Sequence, residues 1–138
     1  KDSAVYFTKL PIVEVPGGDV FHCLKKNESE FIGFGEAYFS SIHHNKIKAW
    51  KKHKSMTMNL FVPVGKVKFV FQNRENSFTE FVIGEENYGR ITVKPEIWFG
   101  FKGISKGLSI ILNISNIMHD PKEVDKVNML DINYNWNK

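Results

Sequence analysis

The segment from Lys46 to Lys54 holds the densest set of ionisable side chains in the chain, five lysines and one histidine. If this segment is a β-strand, alternate side chains share a face. The even positions, four lysines and a tryptophan, then form a solvated face, and the other face carries Ile47, Ala49, Lys51 and His53. That second face begins apolar and ends in an amine and an imidazole. We therefore expect Lys51 and His53 inside a barrel near its mouth, where burial shifts pKa values and often marks a site.

Other interpretations of the same segment remain open. A basic edge strand could use its lysines only to discourage pairing with another sheet, and a β-bulge would reverse the two faces. A basic stretch with aromatic residues also suits single-stranded nucleic acid. The net charge of +4 is small, however, and no nucleic-acid motif is present. We predict no nucleic-acid partner.

The rest of the chain predicts an all-β, antiparallel protein. Short runs rich in Phe, Val and Ile alternate with Gly, Asn and Pro, which is typical of a sandwich or barrel. The predicted strands are Leu60–Val64, Lys66–Gln72, Phe78–Ile83, Arg90–Val93, Trp98–Phe101 and Ser109–Ile114. Pro121–Val127 is predicted as a helical turn with Asp120 as its N-cap, and Asn128–Lys138 as extended.

Length and composition indicate one globular domain, residues 1–138. The chain has 138 residues, 42% of them hydrophobic, so it can bury a core without disulfide or metal staples. No apolar run approaches the roughly 18 residues of a membrane span, and the single cysteine favours the reducing cytoplasm. We expect the core to include Phe61, Val67, Phe69, Phe71, Phe81, Ile91, Val93, Phe101 and Ile111.

Six stretches carry a resemblance to a known family: Gly35–Ser40, Ile47–His53, Asn59–Val70, Pro95–Phe101, His119–Pro121 and Tyr134–Trp136. Their order and spacing resemble the cupin superfamily, and more closely short members of the dTDP-4-dehydrorhamnose 3,5-epimerase family. The resemblance implies a jelly-roll β-barrel, a nucleotide-sugar substrate, and no metal or organic cofactor. It also implies a homodimer, for which Tyr6–Val15 is the candidate strand to cross to the partner.

The resemblance further implies a reaction. Family enzymes epimerise a 4-keto-6-deoxy sugar carried on a nucleoside diphosphate, by removing a proton next to the ketone and returning it on the other face. This chain departs from the family pattern. The family's base histidine falls on Lys51, its phosphate-binding arginine on Lys48, its second pocket histidine on Phe99 and its acid tyrosine on His119. Of the histidines that hold a metal in other cupins only His53 remains, so we predict no metal site.

Two functional hypotheses follow. In the first, the protein is an active epimerase or isomerase with Lys51 or His53 as base and His119 as the opposing acid. Lys51 could instead stabilise the enolate oxygen, and a Schiff base from Lys51 to the ketone is a third role that nothing in the sequence specifically supports. In the second hypothesis the protein binds a sugar nucleotide without turning it over, because two pocket histidines are missing.

Candidate substrate-binding residues come from several strands. Lys48 and Arg90 are predicted to hold the diphosphate, since both cations suit phosphate oxygens. Polar residues that interrupt or precede apolar strands are predicted to form hydrogen bonds with sugar hydroxyls or the keto oxygen. These residues are Tyr38, Thr57, Asn59 and Asn113.

Overall fold

Two five-stranded antiparallel sheets face each other and enclose the core. The structure, a computed structural model, describes residues 3–138. In chain order the strands are β1 Val5–Lys9, β2 Ile12–Val13, β3 Val20–Phe21, β4 Glu36–Ile42, β5 Ile47–His53, β6 Met58–Val64, β7 Lys66–Gln72, β8 Phe78–Gly84, β9 Gly89–Val93, β10 Trp98–Gly103, β11 Ser109–Ser115 and β12 Val124–Lys126. Two short 3₁₀ turns are Pro121–Glu123 and Met129–Asp131.

The strand order shows how the chain closes the sandwich. The first sheet runs β1-β9-β6-β11-β4, the second runs β12-β5-β10-β7-β8, and β2 pairs with β3 as a small separate hairpin. Consecutive strands often lie in different sheets, as expected of a jelly roll. The all-β antiparallel architecture predicted from the sequence is confirmed. No helix in the described residues is long and apolar enough to cross a membrane.

The apolar runs of the sequence are the strands and the core. Each predicted strand is present, and most extend one or two residues further. Seven of the nine predicted core residues are buried. Phe81 and Phe101 are only partly buried, although both pack against the core. Phe81 lies on the edge strand β8, and Phe101 lines the cavity described below.

Both ends of the chain differ from expectation. Pro121–Val127 is not one helical turn, because after Glu123 the chain becomes β12 and pairs with β5. The N-cap prediction is confirmed, since the Asp120 carboxylate accepts the Lys122 amide hydrogen at 3.0 Å. Residues 128–138 are not simply extended: they include the second 3₁₀ turn, and Trp136 in this segment buries a second apolar cluster with Trp50 and Val70.

The N-terminal segment is two strands rather than one. Tyr6–Val15 breaks at Leu10-Pro11, because proline lacks the amide hydrogen that continues a ladder. The strand β1 pairs along its whole length with β9 of its own chain, and β2 folds into the hairpin with β3.

Candidate active site

A β-bulge in β5 decides which lysines face the interior. Phe99 pairs with Lys51 and Gly100 pairs with Ala49, so Trp50 is an extra residue on β5. Successive residues of β10 point to opposite faces, and their partners Lys51 and Ala49 therefore do so as well. The strict alternation predicted from the sequence is thus wrong across this point, because the strand contains a β-bulge, the alternative considered above.

The bulge moves Ile47, Lys48 and Ala49 from their predicted faces. Ile47 and Ala49 join Trp50 in the outer apolar cluster under the C-terminal segment. Trp50 is only 2% exposed rather than solvated, and its Nε1–H donates to the Met129 carbonyl at 3.0 Å. Lys48 pairs with Phe101. The Phe101 ring packs on Phe69 of the core, with the ring centres 5.5 Å apart. Lys48 therefore joins Lys51 and His53 on the inner side of the strand.

These side chains open on a cavity of about 330 Å³ between the two sheets. Its floor is apolar and is formed by Met58, Leu60, Phe69, Phe99, Phe101 and Ile111. Its polar side chains are Tyr38, Ser40, Lys48, Lys51, His53, Asn113 and Lys126. An apolar cavity of this volume with a few convergent polar groups is the usual form of a small-molecule site.

One residue of the cavity lining, His53, forms a buried pair with a carboxylate. His53 Nδ1 is 2.8 Å from Glu123 Oε1, and both residues are buried. The His53 ring also stacks on Phe99, with the ring centres 6.1 Å apart. Because the carboxylate can only accept, Nδ1 carries the hydrogen and the neutral ring keeps Nε2 as the nitrogen that can take a proton.

The position of Glu123 is fixed by the turn that precedes β12. Its second oxygen, Oε2, accepts the amide hydrogens of Ser55 and Met56, each at 2.9 Å. Burial alone raises the pKa of this carboxyl, but the hydrogen bonds from His53 and from the two amides outweigh burial and lower the pKa. Glu123 is therefore a carboxylate held in one orientation against the imidazole.

Lys51 is the half-buried cation of the cavity. Burial lowers the pKa of its amine, and the positive charges of Lys126 and Lys48 lower the pKa further. Within residues 3–138 no ion pair joins any of these three lysines to a carboxylate. By contrast Lys52 lies on the outer face, and its Nζ is 3.4 Å from Glu96 Oε1 and 3.8 Å from Asp125 Oδ2.

A tyrosine and an asparagine form the remaining polar group. Asn113 Nδ2 donates to the Tyr38 hydroxyl oxygen at 3.0 Å. Because that oxygen accepts from the amide, the hydroxyl hydrogen of Tyr38 stays available for another acceptor. Asn113 Oδ1 is buried and has no hydrogen-bond partner within residues 3–138.

Four predicted site residues do not line this cavity. His119 is exposed, and its backbone amide donates to Glu36. Thr57 is buried beside β6, and its amide donates to Asn116. Asn59 is also buried, on the opposite side of β6 from the core residues Met58 and Leu60, and bonds Glu30 and Thr92.

Arg90 is occupied elsewhere in the fold. It is 1% exposed, and its guanidinium bonds the Glu28 carboxylate, the Glu30 carboxylate and the Cys23 carbonyl. Arg90 alternates along β9 with Ile91 of the core, so it lies on the outer side of the first sheet. That alternation was visible in the sequence and argues against the predicted contact of Arg90 with a diphosphate in the cavity.

Two residues of the site were not predicted from the sequence: Lys126, which lines the cavity, and Glu123, the partner of His53. Lys126 reaches the cavity because β12 pairs with β5, where Lys126 faces Lys51. Glu123 meets His53 across 70 positions of sequence, and no local pattern announces such a contact. The described residues hold no group of three His, Cys, Asp or Glu side chains that could bind a metal ion.

Comparison with known proteins finds similarity to epimerases and isomerases of sugars. No protein-family profile matches the chain. A curated relative, a probable low-salt glycan biosynthesis epimerase of Haloferax volcanii, is 30% identical over 97 residues, which are 65% of this chain and 62% of the relative. The match thus spans less than two thirds of that relative's length.

Solved structures agree in fold over nearly the whole chain. A dTDP sugar isomerase of Desulfovibrio desulfuricans superposes with a TM-score of 0.91 at 28% identity, covering 96% of this chain and 90% of that protein. A dTDP-6-deoxy-D-glucose-3,5-epimerase of Legionella pneumophila gives a TM-score of 0.80 at 14% identity over 93% of this chain and 74% of its own. The chain therefore has the cupin-type jelly-roll fold and is similar to dTDP-sugar epimerases and isomerases.

Proposed function

We propose that this protein is an epimerase or isomerase of a nucleotide-linked keto sugar in glycan biosynthesis, which moves a proton on a carbon next to the ketone. The observation that carries the proposal is that His53, bonded to Glu123, lines an apolar cavity together with three lysines that have no carboxylate partner within residues 3–138. The activities for which the Haloferax and Desulfovibrio proteins are named agree with this reaction class. In the binding-only hypothesis the buried acid–base pair would have no catalytic role.

His53 is proposed as the base. Its Nε2 is free to take the proton, because Nδ1–H is held by the Glu123 carboxylate. As the ring becomes positive, the adjacent carboxylate stabilises it, and the stacking on Phe99 keeps the ring in place. Of the two bases considered from the sequence, His53 is thus the one that has the support a base requires.

Tyr38 is proposed as the acid that returns a proton. It lines the same cavity, and the bond from Asn113 leaves its hydroxyl hydrogen free to be donated. His119 was predicted for this role, but it is exposed and lies outside the lining of the cavity. The unpartnered Asn113 Oδ1 is proposed to accept a hydrogen bond from a sugar hydroxyl.

The exposed lysines of the cavity are proposed to bind the diphosphate. Lys48 and Lys126 lie on adjacent strands and have no carboxylate partner among the described residues. Lys48 donates to the Ser41 carbonyl at 2.8 Å, which holds its ammonium group at the wall of the cavity. Ammonium groups bind phosphate as point charges rather than as a fork, so the expected partner is a nucleoside diphosphate sugar.

We further propose that residues 1–138 act as one cupin-like domain, as a homodimer and in the cytoplasm. An apolar patch supports dimerisation: Phe39 is 70% exposed on the edge strand β4, next to exposed Leu108. The free Cys23 is consistent with a reducing compartment.

Proton exchange with solvent tests the function. dTDP-4-keto-6-deoxyglucose is incubated with the protein in heavy water, and loss of the C3 and C5 proton signals is followed by NMR. We expect exchange with the wild type and a loss of roughly 100-fold or more in His53→Asn. The matched control is His43→Asn, an exposed histidine outside the cavity, which should exchange normally. Binding of 4-keto sugar nucleotides without any exchange would contradict the proposal and favour a binding protein.

A further inference from the structure

Lys51 is the half-buried one of the three lysines that line the cavity. It lies on the inner face, two residues from His53. No ion pair engages it within residues 3–138. Its neighbour Lys52 faces outward, near Glu96 and Asp125 and over the Trp98 ring. Lys51 thus presents an amine without a carboxylate partner to whatever occupies the cavity.

The surroundings of Lys51 stabilise the neutral amine more than water would, because they lower the pKa of the amine. The cavity floor is apolar and includes Phe99, the direct pairing partner of Lys51. Lys126, which pairs with Lys51 from β12, and Lys48 add positive charge on the same side. Both influences lower the pKa of Lys51. A lysine that is desolvated beside other cations is the setting in which an amine becomes a nucleophile toward carbonyl groups.

We propose that Lys51 is a covalent catalytic residue, whose Nζ condenses with the sugar ketone to form a Schiff base next to the base His53. This inference rests on the proposed function, because it needs a keto sugar in the cavity. It goes beyond that function by assigning covalent rather than only electrostatic catalysis.

The chemistry balances without an oxidant, a reductant or a metal. The Nζ lone pair attacks the ketone carbon, and after proton transfers the carbonyl oxygen leaves as water, which gives a protonated imine. The positive nitrogen acidifies the neighbouring C–H bond, so that His53 removes that proton and the bonding pair forms an enamine. Protonation of the same carbon restores the protonated imine. Addition of one water then releases the ketone and the free Lys51 amine.

The alternative role for Lys51 is an ammonium that holds the enolate oxygen. The substitution Lys51→Arg distinguishes the two roles, because it keeps a positive charge but removes the nucleophilic amine. Electrostatic stabilisation survives this change in large part, whereas a Schiff base cannot form. The matched control is Lys52→Arg, the adjacent lysine on the outer face of the same strand.

The test combines trapping with exchange. The protein is incubated with dTDP-4-keto-6-deoxyglucose and sodium cyanoborohydride, and intact mass and peptide mass spectra are recorded. We expect one reduced sugar-nucleotide adduct per chain, located on Lys51, in the wild type and in Lys52→Arg but not in Lys51→Arg. Deuterium exchange by Lys51→Arg should fall by roughly 100-fold or more.

Each outcome decides between the two claims. Exchange by the wild type without an adduct on Lys51, or nearly unchanged exchange by Lys51→Arg, would overturn the covalent role and leave the proposed function intact. An adduct on Lys51 without exchange would support the reactive amine and overturn the proton-transfer function. Absence of both would overturn both.

Discussion

The proposed chemistry of this protein rests on a few residues whose hydrogen-bond partners fix their orientation. Glu123 holds Nδ1–H of His53 with one oxygen and two backbone amides with the other. Those three bonds orient the carboxylate and keep it charged, so that it can stabilise the imidazolium that forms when His53 takes a proton. On these contacts we propose His53 as the base and Glu123 as its support.

Glu123→Gln is predicted to slow exchange at C3 or C5 by at least roughly 100-fold, the effect of impairing a general base. The amide keeps the shape of the carboxylate but not the negative charge that stabilises the imidazolium. Exchange followed by NMR in heavy water checks this, with the exposed Glu96→Gln as control. Normal exchange by Glu123→Gln would show that the buried pair is only structural.

The pH dependence of exchange is predicted to report on Lys51. A Schiff base forms from the neutral amine, so the rate at saturating substrate should rise with pH through the lowered pKa of Lys51. The groups that face this amine are Lys48, His53, Lys126 and Tyr38. Lys126→Met removes one positive charge, raises the pKa of Lys51 toward its ordinary 10.5, and should move the rising limb to higher pH. A limb that stays in place or moves to lower pH would contradict this account of Lys51.

At the scale of elements, one inserted residue in β5 reorganises the site. The bulge at Trp50 separates the outward Ala49 from the inward Lys51 and turns Lys48 toward the cavity. Period-two reasoning predicted the inward direction of Lys51 and His53 because both follow the bulge. It misplaced Lys48 because that residue precedes it, and no local signal marks where a ladder slips.

The outer face of β9 carries a buried ion network and not a substrate site. Arg90 joins this strand to the segment that carries Glu28 and Glu30. Arg90→Met leaves buried Glu30 without its cation and should lower the free energy of unfolding by roughly 3–5 kcal/mol. Urea denaturation measures this loss, and calorimetry with dTDP should show unchanged affinity. Intact stability with clearly weakened dTDP binding would return Arg90 to the diphosphate role predicted from the sequence.

At the scale of the whole molecule, the fold follows from the sequence more completely than the site does. Apolar runs divided by Gly, Asn and Pro define the strands, and those signals are local. The cavity depends on contacts between distant segments. Tyr38 and Asn113 were recognised as polar interruptions of strands, but Glu123 and Lys126 reach the site only because β12 adds to the edge of β5.

The assembly state is predicted from the apolar patch on β4. Phe39 and Leu108 expose apolar area at a sheet edge, which favours association with a second copy. Phe39→Lys places a charge in that contact and should convert a dimer into a monomer in sedimentation velocity. A wild type that sediments as a monomer, or a variant that remains dimeric, would show that this patch is not the dimer contact.

One measurement bears most directly on the central claim, that the His53 cavity moves a proton next to a sugar ketone. It is the NMR spectrum of dTDP-4-keto-6-deoxyglucose in heavy water with wild-type protein and with His53→Asn. The account predicts that the wild type replaces hydrogen by deuterium at C3, C5 or both, and that His53→Asn does so at roughly one hundredth of that rate or less. Equal exchange by the two proteins, or none by the wild type despite binding, would contradict it.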